Sequence, residues 1–323
     1  MYNESQKIRF VEDTSYNPDV RVGCVNVFNS IEKYEAQAGK DIAVMTVDEL
    51  IDLLNKSGYM RRRSEERVLG ILREYCRWCA EKKIEGAENA MENIPDVSLE
   101  TIRVDRVASR TVSSPLQLQV FLDAVFDKES EETMDNVYRA LFWLVFGGFT
   151  AEDAIEVRTG EVRLGDLAIL HGSEPGILYR ESLQCIKNCA ELTQFKAVRF
   201  GYQTRVDRIP GDYLLRGLRT NPDIAVMRNA VSKATQTAFR EGRVKKRLRF
   251  ETVRLSGIFY RMYELERAGI EPDYIDIARR FLPPQSSVTI EDPRKARERE
   301  RHDLLRAKRD MVNDYETWKK ASN

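Results

Sequence analysis

The sequence predicts a mainly α-helical protein of two domains, with a small β-sheet in the second. Three observations predict it. Apolar residues recur at helical spacing through most of the chain, from Phe28 and Ile31 to Leu255, Ile258, Phe259, Met262 and Leu265. Only two short stretches, 161–170 and 176–180, read as strands, and His171-Gly172-Ser173-Glu174-Pro175 forms the turn between them. Finally, residues 84–106 open with Glu85, Glu88, Glu92, Asp96 and Glu100, hold Pro95, and carry no Lys or Arg before Arg103. That composition reads as an acidic linker, dividing a domain of residues 1–106 from one of residues 107–323.

The chain has 323 residues, long enough for two cores. It carries 52 basic and 52 acidic residues, with 42% hydrophobic residues, as a soluble globular protein does. No apolar run reaches the roughly 18 residues of a membrane span. The start, Met1-Tyr2-Asn3-Glu4-Ser5-Gln6-Lys7, has no apolar signal core, so a cytoplasmic protein without membrane partners is expected. Five cysteines are an odd number and read as free thiols. Cys76 and Cys79, and Cys185 and Cys189, are spaced along helices without the Gly or Pro context of a zinc knuckle, so no metal is expected. His171 and His302 are the sole histidines, which argues against His-based metal or nucleophilic chemistry. No cofactor is expected.

In chain order, Val22, Val25, Phe28, Ile31 and Tyr34 form one helical stripe. Thr46 caps a second helix containing Leu50, Leu53 and Leu54. Ser64 reads as the cap of a third, with Val68, Ile71, Leu72, Tyr75 and Trp78 on its face. Ser114-Pro115 opens a further helix. Residues 137–146 are apolar nearly all round, as in a central buried helix ended by Gly147-Gly148. Helices are expected over 182–195 and 222–240, with a basic, partly extended segment over 196–208. A long basic helix is expected at the end, where residues 294–309 hold eight bases and three acids.

The charge is sorted along the chain. Residues 193–261 hold 16 Lys and Arg against 5 Asp and Glu, although the whole chain is neutral. A phosphate-binding face needs such sorting. Candidate phosphate contacts are Arg61, Arg62, Arg63 and Arg67 around a helix N-terminus. Lys196, Arg199, Arg205 and Arg208 accompany interleaved aromatics, and Lys245, Lys246, Arg247, Arg249 and Arg254 open the last apolar helix of this region. Ser256-Gly257 is a small pair that lets another backbone come close.

In the order of its elements the chain resembles the tyrosine recombinases, the phage integrase family. That family has a His-x-x-Arg box at the start of a buried helix. The matching residues are Glu251-Thr252-Val253-Arg254, with the Arg kept and the His a Glu. The family's Gly-x-Arg-x-x-Glu box fits the frame of residues 146–153, with Thr150 where the first catalytic Arg stands. Leu255 sits where a second His is common, and the hairpin lacks the family's Lys, since Lys187 and Lys196 lie beyond it. The helices around Tyr34-Glu35 and Tyr75-Cys76-Arg77-Trp78 resemble the family's core-binding domain. A nearer resemblance is to the lysogeny repressors of SP-beta-type Bacillus prophages, which are recombinase-like regulators.

The resemblance implies a two-domain clamp, a helical core-binding domain plus a catalytic-like domain, closing on double-stranded DNA at the bacterial nucleoid. It implies a repressor that holds an operator, with a second copy through the C-terminal helix and an antirepressor as further partners. Arg254 and Tyr315 are vestigial candidates, Tyr315 standing 61 residues after Arg254 where a nucleophile could lie. Arg254 then either contacts a phosphate or braces the fold through Glu251 or Asp153. Two other readings stay open: an active recombinase that forms a covalent phosphotyrosine, and a protein-binding scaffold.

Overall fold

The computed structural model describes residues 1–14, 17–57, 62–126, 133–172, 174–199, 202–217, 222–281 and 293–322. The described residues are mainly helical and fall into two compact units. The first comprises Met1–Val107 and Asp273–Lys320, the second Ala108–Pro272 and Ala321–Asn323.

The first unit opens with α1 (Glu4–Thr14), α2 (Pro18–Ala38), α3 (Val47–Lys56), α4 (Arg62–Glu81) and α5 (Asp96–Ala108). Their ends follow local chemistry. The Asn17 side chain accepts from Asp19 N ahead of Pro18, and Thr46 and Glu49 close a reciprocal capping box on α3. One core gathers Phe10, Phe28, Ile31, Leu50, Leu53, Leu72, Tyr75 and Trp78. The buried stripe of α2 is Cys24, Val27, Phe28, Ile31 and Glu35; Val22, expected inside, is exposed. Helix α4 begins at Arg62, ahead of the Ser64 expected to cap it.

Glu35 faces inward because Lys7 meets it there. Lys7 Nζ donates to Glu35 Oε1 at 2.6 Å and Oε2 at 2.5 Å, and both side chains are fully buried. Asp41 lies 3.6 Å from the ammonium, and Tyr75 donates its hydroxyl to Asp41 Oδ2 at 3.1 Å. The Phe28 and Tyr75 rings stand 5.4 and 5.8 Å from Nζ. Burial pushes the Glu35 carboxyl above its ordinary value against the pull of Lys7, so desolvation takes back much of the pair's attraction. The buried Cys76 and Cys79 line the same core, and burial pushes both thiols up, Cys79 to about 11.

The stretch expected as an acidic linker belongs to this core. Met91, Ile94, Leu99 and Ile102 are buried. Arg106, also buried, donates to Leu54 O at 2.5 Å and to Glu65 at 3.2 Å, and Arg103 joins the same carboxylate. The acids sit between the apolar positions, so counting charge hid a helical period.

The second unit holds α6 (Pro115–Val125), α7 (Met134–Phe146), α8 (Ala151–Glu156), β1 (Val162–Arg163), β2 (Ala168–His171), β3 (Glu174–Ile177), α9 (Leu183–Glu191), β4 (Gln194–Arg199), β5 (Tyr202–Asp207), α10 (Ile224–Arg240) and α11 (Phe250–Arg267). Helix α7 is the buried axis: Val137 and all seven residues of 140–146 are at most 1% exposed. Helices α8, α9 and α11 pack on it. Strands β1, β2 and β3 form one antiparallel sheet in that order. The single strand expected over 161–170 is two, because the chain turns through 164–167 with Leu167 at φ 52. Helix α9 ends at Glu191, short of the 195 expected, and β4 and β5 pair as a separate two-stranded ribbon.

Two glycines set the spacing around α7. A Cβ on Gly257 would lie 1.8 Å from Phe146 O, and one on Gly147 would lie 2.2 Å from Ile177 O. The close approach expected at Ser256-Gly257 is thus made against the last turn of α7. Ser256 Oγ also accepts from Val112 N at 3.1 Å.

The chain closes with α12 (Tyr274–Phe281) and α13 (Pro293–Ser322), which belong to the first unit and not to the second, where they were expected. Lys320 pairs with Glu100 at 2.7 Å, and Tyr315 and Trp318 are buried and stacked.

The Lys7–Glu35 pair yields a testable outcome. Glu35→Gln removes the carboxylate hydrogen-bonded to the buried ammonium, leaving only Asp41 at 3.6 Å as counter-charge, and should cost about 3 kcal/mol in urea melts of the full chain. Lys7→Met combined with Glu35→Leu should recover most of that loss. A double variant as unstable as the single would show that the cost was packing.

Candidate nucleic-acid interface

The two motif boxes meet where α7 ends and α11 begins. Because Gly257 brings α11 against Phe146, Arg254, three residues earlier, reaches the chain just past α7. Its Nε donates to Gly148 O at 2.9 Å. The guanidinium is half-buried, and desolvation lowers its pKa while Asp153 and Glu152 pull it up. Thr150 caps α8: its hydroxyl accepts from Asp153 N at 3.0 Å and donates to Asp153 Oδ2 at 2.6 Å. Arg228, on α10, pairs with Glu152 at 2.6 Å and lies 3.9 Å from Glu251. The cluster therefore sets two guanidinium groups among three carboxylates. Arg254 is thus tied to the backbone through the Gly148 carbonyl, with Asp153 and Glu152 as acidic neighbours. Arg228 was not foreseen, because its partner Glu152 is 76 positions away in sequence.

On the hairpin of β2 and β3, His171 Nδ1 lies 2.9 Å from Glu161 Oε2. No Lys lies on either strand.

The basic candidates divide by burial. Lys245, Arg247 and Arg249 are exposed between α10 and α11, Arg247 lying 5.2 Å over the Phe239 ring. Lys246 is half-buried and donates to Ala108 O at 3.2 Å and Thr111 O at 2.6 Å, so it ties down the start of the second unit instead of facing solvent. Desolvation lowers its pKa. Arg208, expected to face a phosphate, is instead internal, at 5% exposed. Its guanidinium donates to the carbonyls of Cys189, Leu192, Leu214 and Arg216 at 2.6, 2.9, 3.0 and 3.0 Å. Two of those carbonyls belong to the end of α9, where helix carbonyls lack partners and cations are favoured. Burial brings its pKa down to about 10, so the group stays charged at neutral pH.

Lys196 and Arg205 are exposed and directly opposite each other in the ribbon. Arg67 is exposed on α4, its guanidinium against Gly23 of α2. Arg61 lies outside the described residues, as do the side chains of Arg62, Arg63 and Arg199. Tyr315 is fully buried in the first unit, with Lys319 Nζ 4.8 Å over its ring, and stands there as a packing aromatic.

Comparison with known proteins bears on the first unit. Residues 1–81 match a family described as "MrpR, N-terminal core-binding domain". The first 81 residues are similar to a core-binding domain. This core-binding-like segment contains α1 to α4 and the buried Lys7–Glu35 pair. No curated protein matches the chain. A solved structure described as the crystal structure of XerA recombinase aligns over 93% of this chain and 98% of its own, at 12% identity and a TM-score of 0.37. At that score no residue role is carried across. No described helix is long and apolar enough to cross a membrane.

Arg208→Ala should take the side-chain donor from four carbonyls, two of them in buried contacts, and cost at least about 2 kcal/mol, since each orphaned buried group costs about 1–3 kcal/mol. Arg208→Lys should recover only part of that, because one ammonium cannot reproduce the planar fork. Denaturant melts check both, and a wild-type midpoint for either would sink the assignment. Gly257→Ala should lower the melting temperature by several degrees, because the methyl meets Phe146 backbone and not a movable side chain.

Proposed function

We propose that this chain is a sequence-specific double-stranded DNA-binding protein of the tyrosine-recombinase type. In this reading it has lost strand cleavage and acts as a transcriptional repressor of the kind that maintains phage lysogeny. The observation that carries the loss of cleavage is the cluster at Arg254. Transfer of a DNA phosphodiester to a tyrosine builds negative charge on the phosphoryl oxygens, and fixed donors must meet it. In the cluster, Arg254 is engaged with Gly148 O and Arg228 with Glu152, and Glu152, Asp153 and Glu251 add three negative charges. Thr150 uses its hydroxyl as a helix cap. Removal of one preorganised donor costs about a hundred- to a thousandfold in rate, and a carboxylate in its place repels the phosphate as well.

DNA binding is supported by the core-binding match over residues 1–81 and by the exposed Lys245, Arg247 and Arg249. Phosphate contacts from such residues give affinity without sequence information. A cytoplasmic location at the host nucleoid, self-association through α13 and release by an antirepressor follow from this reading.

The test is incubation of the purified chain with a random-sequence duplex library, recovery of what binds, and denaturation. Recovery of a few related sequences with no covalently attached protein is the expected result. DNA held after denaturation and released in Tyr315→Phe would replace this reading with an active recombinase. Affinity should fall steeply with salt. Lys245→Ala, Arg247→Ala and Arg249→Ala together should flatten the log–log salt slope by about 2–3, at roughly 0.9 for each phosphate that is no longer neutralised. An unchanged slope would remove this loop from the interface.

A further inference from the structure

The five cysteines are all buried, but their surroundings differ. Burial pushes the thiols of Cys24, Cys76 and Cys79 up. Cys189 moves the other way. The Cys185 thiol hydrogen-bonded to it outweighs desolvation together with the guanidinium groups of Arg208 and Arg216 and the Asn136 amide, and holds it below the ordinary thiol value.

One residue of α7 builds this geometry. Asn136 is buried, and its Nδ2 donates to Cys185 O at 3.1 Å and to Cys189 Sγ at 3.2 Å. Its backbone oxygen accepts from Cys185 Sγ at 3.3 Å and lies 3.7 Å from Cys189 Sγ. A side-chain oxygen could not serve the Cys185 carbonyl, so the amide nitrogen is the end that faces the Cys189 sulfur. Two thiols one turn apart on α9 therefore meet on a single residue, and Cys189 Sγ is offered a donor.

The same end of α9 seats Arg208, whose guanidinium donates to Cys189 O and Leu192 O. That guanidinium lies 5.2 Å over the ring of Phe195, the buried residue at the base of the β4–β5 ribbon. A two-stranded ribbon is marginal in water, so this seat matters to it.

We propose that Cys185 and Cys189 are an oxidation site for small peroxides, which join the two in a disulfide and so loosen the base of the β4–β5 ribbon. The Cys189 thiolate attacks one peroxide oxygen, the O–O bond breaks, and hydroxide leaves behind a sulfenic acid. The Cys185 sulfur then attacks the Cys189 sulfur, and the S–O bond breaks. The Cys185 proton leaves with the hydroxyl as water, and the earlier hydroxide takes up the proton that Cys189 had released. The two sulfurs together lose two electrons, and the peroxide is reduced to two waters. Positions i and i+4 of a helix hold their Cβ atoms about 5–6 Å apart, whereas a disulfide needs about 3.8 Å. Closing the bond must therefore draw in the last turn of α9, and with it the carbonyls that hold Arg208. Cys185 is 8% exposed and Cys189 1%, so a peroxide reaches the pair and a bulky disulfide does not. The inference does not depend on DNA binding.

The experiment treats the reduced full chain with hydrogen peroxide, or with oxidised glutathione, and then unfolds it in an alkylating reagent. After peroxide the chain should lose two hydrogens, with peptide mapping placing the link between Cys185 and Cys189. Cys24, Cys76 and Cys79 should all take up the alkyl group. Oxidised glutathione should leave the pair reduced. Cys185→Ser should stop at a dimedone-reactive sulfenic acid on Cys189, and Cys189→Ser should leave Cys185 unreacted. In the peroxide-treated wild type, β4 and β5 should lose amide-exchange protection and regain it with dithiothreitol. A pair that stays reduced, or five thiols that oxidise alike, would overturn the site. A disulfide that leaves exchange in the ribbon unchanged would overturn the link through Arg208.

Discussion

The geometry around Arg254 depends on a missing side chain. At Gly257, α11 lies so close to the end of α7 that a methyl would penetrate the Phe146 carbonyl. That proximity delivers Arg254 to Gly148 O one turn earlier on α11. Gly147 does the same for the end of β3. A helix end leaves carbonyls without partners, and here an arginine and a strand amide arrive to satisfy those of 147 and 148. The packing of the second unit and the position of its motif residues are one fact.

The basic character of residues 193–261 divides into two populations. Arg208, Lys246 and Arg254 direct their donors to backbone carbonyls of their own unit, and burial lowers the pKa of each. Lys196, Arg205, Lys245, Arg247 and Arg249 are exposed. The second population faces solvent. A cation fixed on carbonyls ties separate backbone segments together, and it does so at the cost of desolvation.

The first unit repeats this trade with a fully buried pair. Lys7 and Glu35 join α1 to α2, while Asp41 and Tyr75 extend the contact to α4. Apolar residues would pack there with less desolvation, so the pair adds little net stability for its burial.

By itself the sequence determined the mainly helical class, the caps at Thr46 and Ser114, the buried α7, the small hairpin and the tight approach at Gly257. Each of these is a local matter of period, cap or turn, written within a few residues. The stretch 84–106 misled because its acids are dense enough to mask Met91, Ile94, Leu99 and Ile102. The tertiary structure alone decided which basic residues are internal. Arg205 and Arg208 sit three apart with like surroundings in sequence, yet one is exposed and the other is buried on four carbonyls. It alone placed α13 with the first unit and set Arg228 between Glu152 and Glu251. Those outcomes join segments tens to hundreds of residues apart, and a side chain's charge carries no record of which distant backbone it will meet.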